Sequence, residues 1–125
     1  MSDSGLIFKI VDRRQWESAK AAGRFAGAAI DLEDGYIHFS AAHQVAETAR
    51  RHFADQDDLW LVAVAAEGLG PDLKWEVSRG GDRFPHLYRE LRTAEVAWEQ
   101  ALTRGPAGDF VFPDALRSSG QTPSE

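Results

Sequence analysis

Cysteine is absent from this chain of 125 residues. Its absence excludes disulfides, thiol catalysis and thiolate metal sites, and it is typical of proteins from a reducing compartment. Positive charge is also scarce, because 14 lysines and arginines stand against 20 aspartates and glutamates, for a formal net charge of −6. An acidic domain does not attract a phosphate backbone over its whole surface, so we expect no general nucleic-acid binding. A local basic patch is still compatible with a small nucleotide-like ligand.

Long apolar runs are missing as well. No stretch reaches the roughly 18 residues of a membrane span, and Met1–Gly5 is too polar to begin a secretory signal. We therefore expect a cytoplasmic protein with no membrane partner. The chain does contain 43% hydrophobic residues, four Trp and seven Phe, which is enough to fill a core. The length of the chain predicts one domain, over residues 1–116. The small polar residues 117–125 predict a flexible tail. The sequence leaves the oligomeric state open.

Apolar patterning predicts a mixture of strands and helices. The expected strands are Leu6–Val11, Tyr36–Phe39, Leu59–Ala66, Leu73–Val77, Phe84–Tyr88 and Phe110–Phe112. The run 59–66 is apolar throughout, which is typical of a central buried strand. Because strands and helices do not alternate strictly, the pattern indicates the α+β class.

Two main helices are expected, over Arg13–Ala22 with Asp12 as its cap and over Ala41–Ala54 with Ser40 as its cap. Residues 27–34 are predicted to form a loop. The stretch 93–103 fits either a strand or a helix. The residues expected in the core are Ile37, Phe39, Val45, Ala49, Phe53, Leu61, Val62, Val64 and Trp75.

The most informative stretch is 36–39, where two plain hydrophobes alternate with two polar-tipped rings. In a strand, Ile37 and Phe39 would face the core while Tyr36 and His38 would face a cleft.

His86 has a similar setting, because Tyr88 follows it at the same spacing on a second extended segment. We therefore expect His38 and His86 to line one cleft. Imidazole can exchange a proton near neutral pH, stack on a flat ring or donate to an anionic oxygen. The plainer alternative is that both are satisfied core or edge histidines.

Other polar residues have a functional and a plain interpretation. Glu76 could orient a histidine or act as a general base, or it could be a surface carboxylate. Lys9, a charge inside an apolar strand, could be a cleft cation for a phosphate or a snorkelling lysine. His43 is expected in solvent, and His52 is expected to be structural. No zinc-protease spacing of histidines is present, so we expect no metal.

The segments Gly35–Ser40 (GYIHFS), Gln44 and Phe84–Tyr88 (FPHLY) resemble the motifs of an uncharacterised family, domain of unknown function 952. That family has a pattern close to GFIHLS, then Gln, then FPHLY. The resemblance extends from about Leu6 to Phe112 and favours a strand over Glu95–Leu102. The departures are Tyr36, Phe39 and Arg89, where the family pattern has Phe, Leu and Gly.

The order of elements also resembles the catalytic core of ADP-ribosyltransferases, which bind NAD in a cleft between two small, curved, antiparallel-rich sheets. On that pattern, Lys9 takes the place of a first-strand His or Arg, and His38 takes the place of a Tyr that stacks on nicotinamide. The late glutamate of those enzymes falls near His86. The resemblance implies NAD as co-substrate, with Lys9, Tyr36, His38 and Ser40 as binding residues and His38, His86, Tyr88 and Glu76 as catalytic residues.

Three hypotheses remain open. The first is an ADP-ribosyltransferase-like domain, an NAD-utilising glycosyltransferase that moves ADP-ribose, or a 2′-phosphate-type group as RNA 2′-phosphotransferases do. The second is a non-catalytic module in which the same cleft binds a small ligand or a partner. The third is a metal-dependent hydrolase that uses His38, His86 and Glu76.

Overall fold

Three antiparallel sheets and three α-helices make up the part of the chain that the computed structural model describes, which is residues 5–78 and 81–112. The strands are β1 (Leu6–Asp12), β2 (Arg24–Phe25), β3 (Ile37–His38), β4 (Ser40–Ala41), β5 (Leu59–Ala65), β6 (Leu73–Val77), β7 (Arg83–Leu87), β8 (Leu91–Arg92), β9 (Val96–Arg104) and β10 (Phe110–Val111). The helices are α1 (Arg13–Ala22), α2 (Ala29–Asp34) and α3 (Ala42–His52), with 3₁₀ helices at Ala66–Asp72 and Thr93–Glu95. The α+β class is confirmed.

β5 lies at the centre of the largest sheet, whose order is β10-β9-β5-β1-β4. It pairs with β1 over its whole length, from Leu6 opposite Ala65 to Asp12 opposite Leu59, and with β9 on its other side. Residues 61–64 are 0% exposed. A strand covered on both faces needs apolar residues at every position, so its continuous apolar sequence is explained.

The other edge of β1 is covered only at its start. β4 pairs with Ile7 and Phe8, and in the described part of the chain no strand pairs with residues 9–12 on that side. The backbone of residues 9–12 therefore borders a gap in the sheet.

The chain changes sheets at Phe39. β3 belongs to a three-stranded sheet of order β3-β7-β6, whereas β4 belongs to the five-stranded sheet. Phe39 is 2% exposed, and its N–H donates to the carbonyl of Pro85 at 2.9 Å. The two sheets consequently diverge at this residue, beside the open edge of β1.

α1 has the bounds that the sequence predicts. The carboxylate of Asp12 accepts a hydrogen bond from the N–H of Gln15 at 2.9 Å, which caps the first turn. Trp16 is 1% exposed and anchors the helix to the core.

The loop predicted over residues 27–34 is wrong, because α2 occupies most of it. The helix inverts the usual pattern, since Ile30 and Leu32 are 53% and 65% exposed while Asp31 is 1% exposed. Apolar periodicity cannot reveal a helix that buries its carboxylate. Gly35 ends the helix in the left-handed region, at φ 89°.

The expected cap of α3 is also wrong. Ser40 lies in β4, and its Oγ is 3.0 Å from Oγ1 of Thr48, in the body of α3. The helix begins at Ala42 and ends at His52. Its first turn is closed by Gln44, whose Oε1 accepts from the N–H of Ala41 at 2.8 Å.

Two apolar clusters form the core, one against each face of the β1–β5 pair. Seven of the predicted core residues are buried: Ile37, Phe39, Val45, Ala49, Leu61, Val62 and Val64. Phe53 is partly buried against the second cluster. The prediction for Trp75 is wrong, since it is 43% exposed on the edge strand β6. Alternation identifies the two faces of a strand but not which face is covered.

The ambiguous stretch 93–103 contains a 3₁₀ turn and most of β9, so the strand alternative is correct. The predicted boundary at residue 116 and the tail over 117–125 lie outside the described residues. None of the helices in the described ranges has the length and apolar character that a membrane crossing requires.

We expect Leu61→Ala to lower the free energy of unfolding by about 2–5 kcal/mol, because it leaves a cavity in the core beside the central strand. Leu32→Ala is the matched control, since Leu32 is 65% exposed, and its effect should stay within about 0.5 kcal/mol. Urea denaturation followed by tryptophan fluorescence measures both. Equal losses in the two variants would contradict the central position of β5.

Candidate functional site

A cavity of about 640 Å³ lies where the two larger sheets diverge, beside the open edge of β1. Its lining includes four of the predicted site residues, Lys9, His38, Ser40 and His86, each on a different strand. Of the other three, Tyr36 and Glu76 contact the histidines from outside the lining, and Tyr88 contacts Tyr36 and Glu76.

The two histidines are cross-strand partners. His38 of β3 stands opposite His86 of β7, and their ring centroids are 5.5 Å apart with the rings edge to face. Directly opposed residues in an antiparallel pair project on the same face. The prediction that they share one cleft is confirmed.

His38 is held at both ring nitrogens by carboxylates of α2. Its Nδ1 is 2.6 Å from Oδ1 of Asp31, and its Nε2 is 3.0 Å from Oδ2 of Asp34. An imidazole ring donates from both nitrogens only when it is protonated. With both nitrogens occupied, His38 offers the cavity the face and carbon edge of its ring.

Asp31 is the central buried charge of this site. Its carboxylate accepts from the ammonium of Lys9 at 2.9 and 3.1 Å, and from the backbone N–H groups of Ala28 and His38 at 2.8 and 3.1 Å. Burial alone would raise its pKa, but the bond from His38, the charge of Lys9 and the Ala28 N–H together lower the pKa of Asp31 to about 2. Burial also lowers the pKa of Lys9, and Asp31 limits that fall.

A glycine makes room for this carboxylate. Gly27 has φ +122°, and a Cβ added to it would lie 2.8 Å from Cβ of Asp31. Any side chain at position 27 would therefore strain the backbone and push against the buried pair.

A second carboxylate supports His86. Oε1 of Glu76 lies 2.8 Å from Nδ1 of His86 and accepts from the hydroxyl of Tyr88 at 2.7 Å. The bond from His86, followed by that from Tyr88, lowers the pKa of Glu76, and the bond to Glu76 raises the pKa of Tyr88 to about 12. Because Nδ1 of His86 is hydrogen-bonded to Glu76, Nε2 is the nitrogen that can form a hydrogen bond with a ligand.

Tyr36 packs against the rings of both histidines. Its ring stacks on His86 with centroids 4.2 Å apart and lies 4.7 Å from His38 and 5.1 Å from Tyr88. Burial, with the nearby charges of Asp34 and Glu76, raises the pKa of Tyr36 and keeps the phenol neutral. Tyr36 thus supports the histidine rings and does not line the cavity.

α3 contributes a second polar wall that the sequence interpretation missed. Thr48 and His52 both line the cavity, together with Phe53. His52 was expected to be structural, although its spacing of four from Thr48 puts the two on one helix face. His43, by contrast, is exposed as predicted, with Nε2 3.7 Å from Asp82.

Asp31 and Asp34 were also missed. A lysine buried in an apolar strand needs a counter-charge, so Lys9 was a signal that some carboxylate lies nearby. That signal could not identify Asp31, because 22 residues separate the pair in sequence. Within residues 5–78 and 81–112, no group of three or more His, Cys, Asp or Glu could hold a metal ion.

A family model matches most of the chain, including most residues of the cleft. The model of the family described as "Protein of unknown function (DUF952)" matches residues 10–99. The chain belongs to this family. Both His38 and His86 fall inside the matched range. No curated protein matches the chain.

Solved structures of one bacterial protein are similar in sequence and in fold. The X-ray crystal structure of protein CC0527 from Caulobacter crescentus is 54% identical, covers 90% of this chain and 98% of its own, and superposes with a TM-score of 0.85. The solution NMR structure of CC0527 is 55% identical, covers 84% of this chain and 90% of its own, and has a TM-score of 0.77.

We expect Asp31→Asn to destabilise the protein by roughly 3–5 kcal/mol, because it leaves the ammonium of Lys9 buried without a counter-charge. The folded-state pKa of Asp31, about 2, is below its ordinary 3.8. The stabilisation from the ionised carboxylate is therefore complete above that ordinary value and is lost as the pH falls from about 4 to about 2. The difference between wild type and variant should shrink in that window.

The matched control is Asp34→Asn, which changes the half-exposed carboxylate on the other nitrogen of His38. It should alter the free energy of unfolding by at most about 1 kcal/mol. Chemical denaturation at a series of pH values measures both variants. A constant difference between wild type and Asp31→Asn across the acidic range would contradict the assigned pKa.

Proposed function

We propose that the cavity binds NAD or a related ADP-ribosyl compound, in a domain similar to the core of the ADP-ribosyltransferases. The observation that carries the proposal is a cavity of about 640 Å³ between two sheets, walled by two carboxylate-supported histidines and a buried lysine. Sites for small molecules and cofactors usually measure about 300–1,000 Å³ and combine an apolar lining with a few converging polar groups.

In this proposal His38 packs its ring against nicotinamide. Asp31 and Asp34 fix the ring plane by holding both nitrogens, so the face is ready before the ligand arrives. A side chain that is already ordered loses little conformational entropy on binding.

Lys9 and Ser40 serve the phosphates and the ribose. The ammonium of Lys9 carries three donor hydrogens, two of which face the oxygens of Asp31, at 2.9 and 3.1 Å. The third can donate to a phosphate or ribose oxygen. Its attraction to phosphate is reduced by Asp31, so ring packing and hydrogen bonds contribute more to affinity than net charge does.

His86 has the chemical role. In the transfer reaction the bond between ribose C1 and the nicotinamide nitrogen breaks, and nicotinamide leaves with the electron pair. The acceptor then forms its bond to C1, and its proton passes to Nε2 of His86. Glu76 fixes the ring through Nδ1 and stabilises the imidazolium that results, while Tyr88 holds the same carboxylate oxygen. A 2′-phosphate-type transfer would use the same nitrogen.

A second candidate is a module that binds the ligand without transforming it. Among the described residues, every buried side-chain nitrogen or oxygen already has a hydrogen-bond partner. Catalytic groups often keep unsatisfied bonding capacity or strain, so the lack of an orphaned buried group among these residues favours binding alone. Release of nicotinamide separates the two candidates.

Binding is tested by titrating NAD and ADP-ribose against the melting temperature and by calorimetry. A ligand at about 100 times its Kd stabilises the folded state by roughly 2.7 kcal/mol.

His38→Asn places an amide N–H where Nδ1 donates to Asp31 and removes the ring, so it should weaken NAD binding about five- to tenfold through lost packing. His43→Ala, on the exposed side of α3, is the control and should change nothing. The proposal fails if neither compound binds the wild type at millimolar concentration.

Catalysis is tested with His86→Asn, which keeps a donor toward Glu76 but lacks Nε2. If the domain is an enzyme, nicotinamide release should fall at least about a hundredfold while the Kd for NAD changes by less than about threefold. Wild-type protein that binds NAD without releasing nicotinamide would instead identify the binding module.

A further inference from the structure

The cavity follows the open edge of β1. Its lining includes every residue from Phe8 to Asp12, although successive side chains of a strand point to opposite faces. A cavity lined by consecutive residues of one strand lies along the edge of that strand. It can do so because β4 stops at the partners of Ile7 and Phe8 and leaves the edge of residues 9–12 open.

The two ends of this passage differ in chemistry. On one side lie His38 and His86, near the charged pair of Lys9 and Asp31. On the other side, α3 supplies Thr48 and His52, and the turn that follows it supplies Phe53 and Gln56.

The α3 side offers hydrogen-bonding groups next to a flat apolar ring. Thr48 is oriented by Ser40, with 3.0 Å between their hydroxyl oxygens, and Ser40 is only 4% exposed. A threonine hydroxyl and an imidazole nitrogen can each donate to or accept from sugar hydroxyls, and an amide can do the same with the edge of a base. Phe53 presents a ring against which a base can stack.

The phosphates of a ligand would bind at a different part of the cavity, near Lys9. Lys9 is the one lysine or arginine among the described residues that line the cavity. It lies next to Phe8, whose strand partner is Ser40, and it shares Asp31 with His38. Phosphates near Lys9 would therefore sit between the histidine end and the α3 end.

We infer that the α3 end of the cavity holds the adenosine half of the ADP-ribosyl ligand. Thr48 and His52 bind the ribose hydroxyls, and Phe53 and Gln56 contact the base. The inference rests on the proposed function, because the bond that reacts must lie at the histidine end and the remainder of the ligand must extend along the passage. It assigns specificity for the nucleoside to residues of α3.

The test uses the two halves of NAD as separate probes. Calorimetry measures the Kd of adenosine monophosphate, nicotinamide mononucleotide and ADP-ribose for the full chain. Thr48→Val removes one hydroxyl without changing the shape, and His52→Ala removes the ring. Each should weaken adenosine monophosphate and ADP-ribose about fivefold and leave nicotinamide mononucleotide unchanged. His38→Asn should do the opposite, weakening the nicotinamide probe alone.

Matched controls are Thr103→Val on the exposed surface of β9 and His43→Ala on the exposed side of α3; neither should change any Kd. Melting temperatures report whether each variant is folded, and His52→Ala, at an exposed position, tests the inference even if Thr48→Val unfolds. Equal weakening of both half-ligands by the α3 variants, or none, overturns the orientation while the proposed function stands. If no probe and no NAD bind the wild type, the proposed function falls and this inference falls with it.

Discussion

The structure of the cleft depends on one buried carboxylate. Asp31 is 1% exposed and is compensated by four donors, the ammonium of Lys9, the ring of His38, and the backbone N–H groups of Ala28 and His38. Removing a charge from water costs several kcal/mol unless such partners are in place. These bonds join β1, α2 and β3, and Gly27 leaves the space that the carboxylate needs. The orientation of His38 and this wall of the cavity therefore depend on the contacts of a single carboxylate.

The shortness of β4 explains why there is a cavity at all. A longer strand would pair with residues 9–12 of β1 and close the sheet. Instead the chain pairs with β7 in one sheet, passes through the buried Phe39, and pairs with β1 in the other for two residues. The open edge of β1 and the imidazoles of β3 and β7 are consequently adjacent. Polar side chains on the strands of both sheets and on α3 can therefore face one cavity.

Local patterns in the sequence predict which way a side chain faces better than they predict which residues it contacts. Alternation over 36–39 correctly placed Ile37 and Phe39 in the core and His38 at the cavity, although Tyr36 does not line it, and the apolar run of β5 correctly indicated a central strand. The juxtaposition of the histidines also needed the pairing of β3 with β7, which the matching tyrosine spacing could only suggest. Asp31 could not be found, because α2 buries its acid and exposes its hydrophobes. The prediction that Trp75 lies in the core was wrong for a related reason, since no local pattern tells which face of an edge strand is covered.

The two carboxylate–imidazole pairs are alike in geometry and different in environment, and this difference underlies the roles that we propose for them. Asp31 is fully buried and shared with Lys9, so His38 is held as part of a closed ionic cluster. The side chain of Glu76 is 38% exposed and binds His86 through one oxygen that it shares with Tyr88. His86 is therefore supported by a carboxylate that solvent reaches, whereas His38 is held by a buried carboxylate whose contacts join three elements. For this reason the proposed function places the acid–base step at His86 on β7 and the fixed ring packing at His38 on β3.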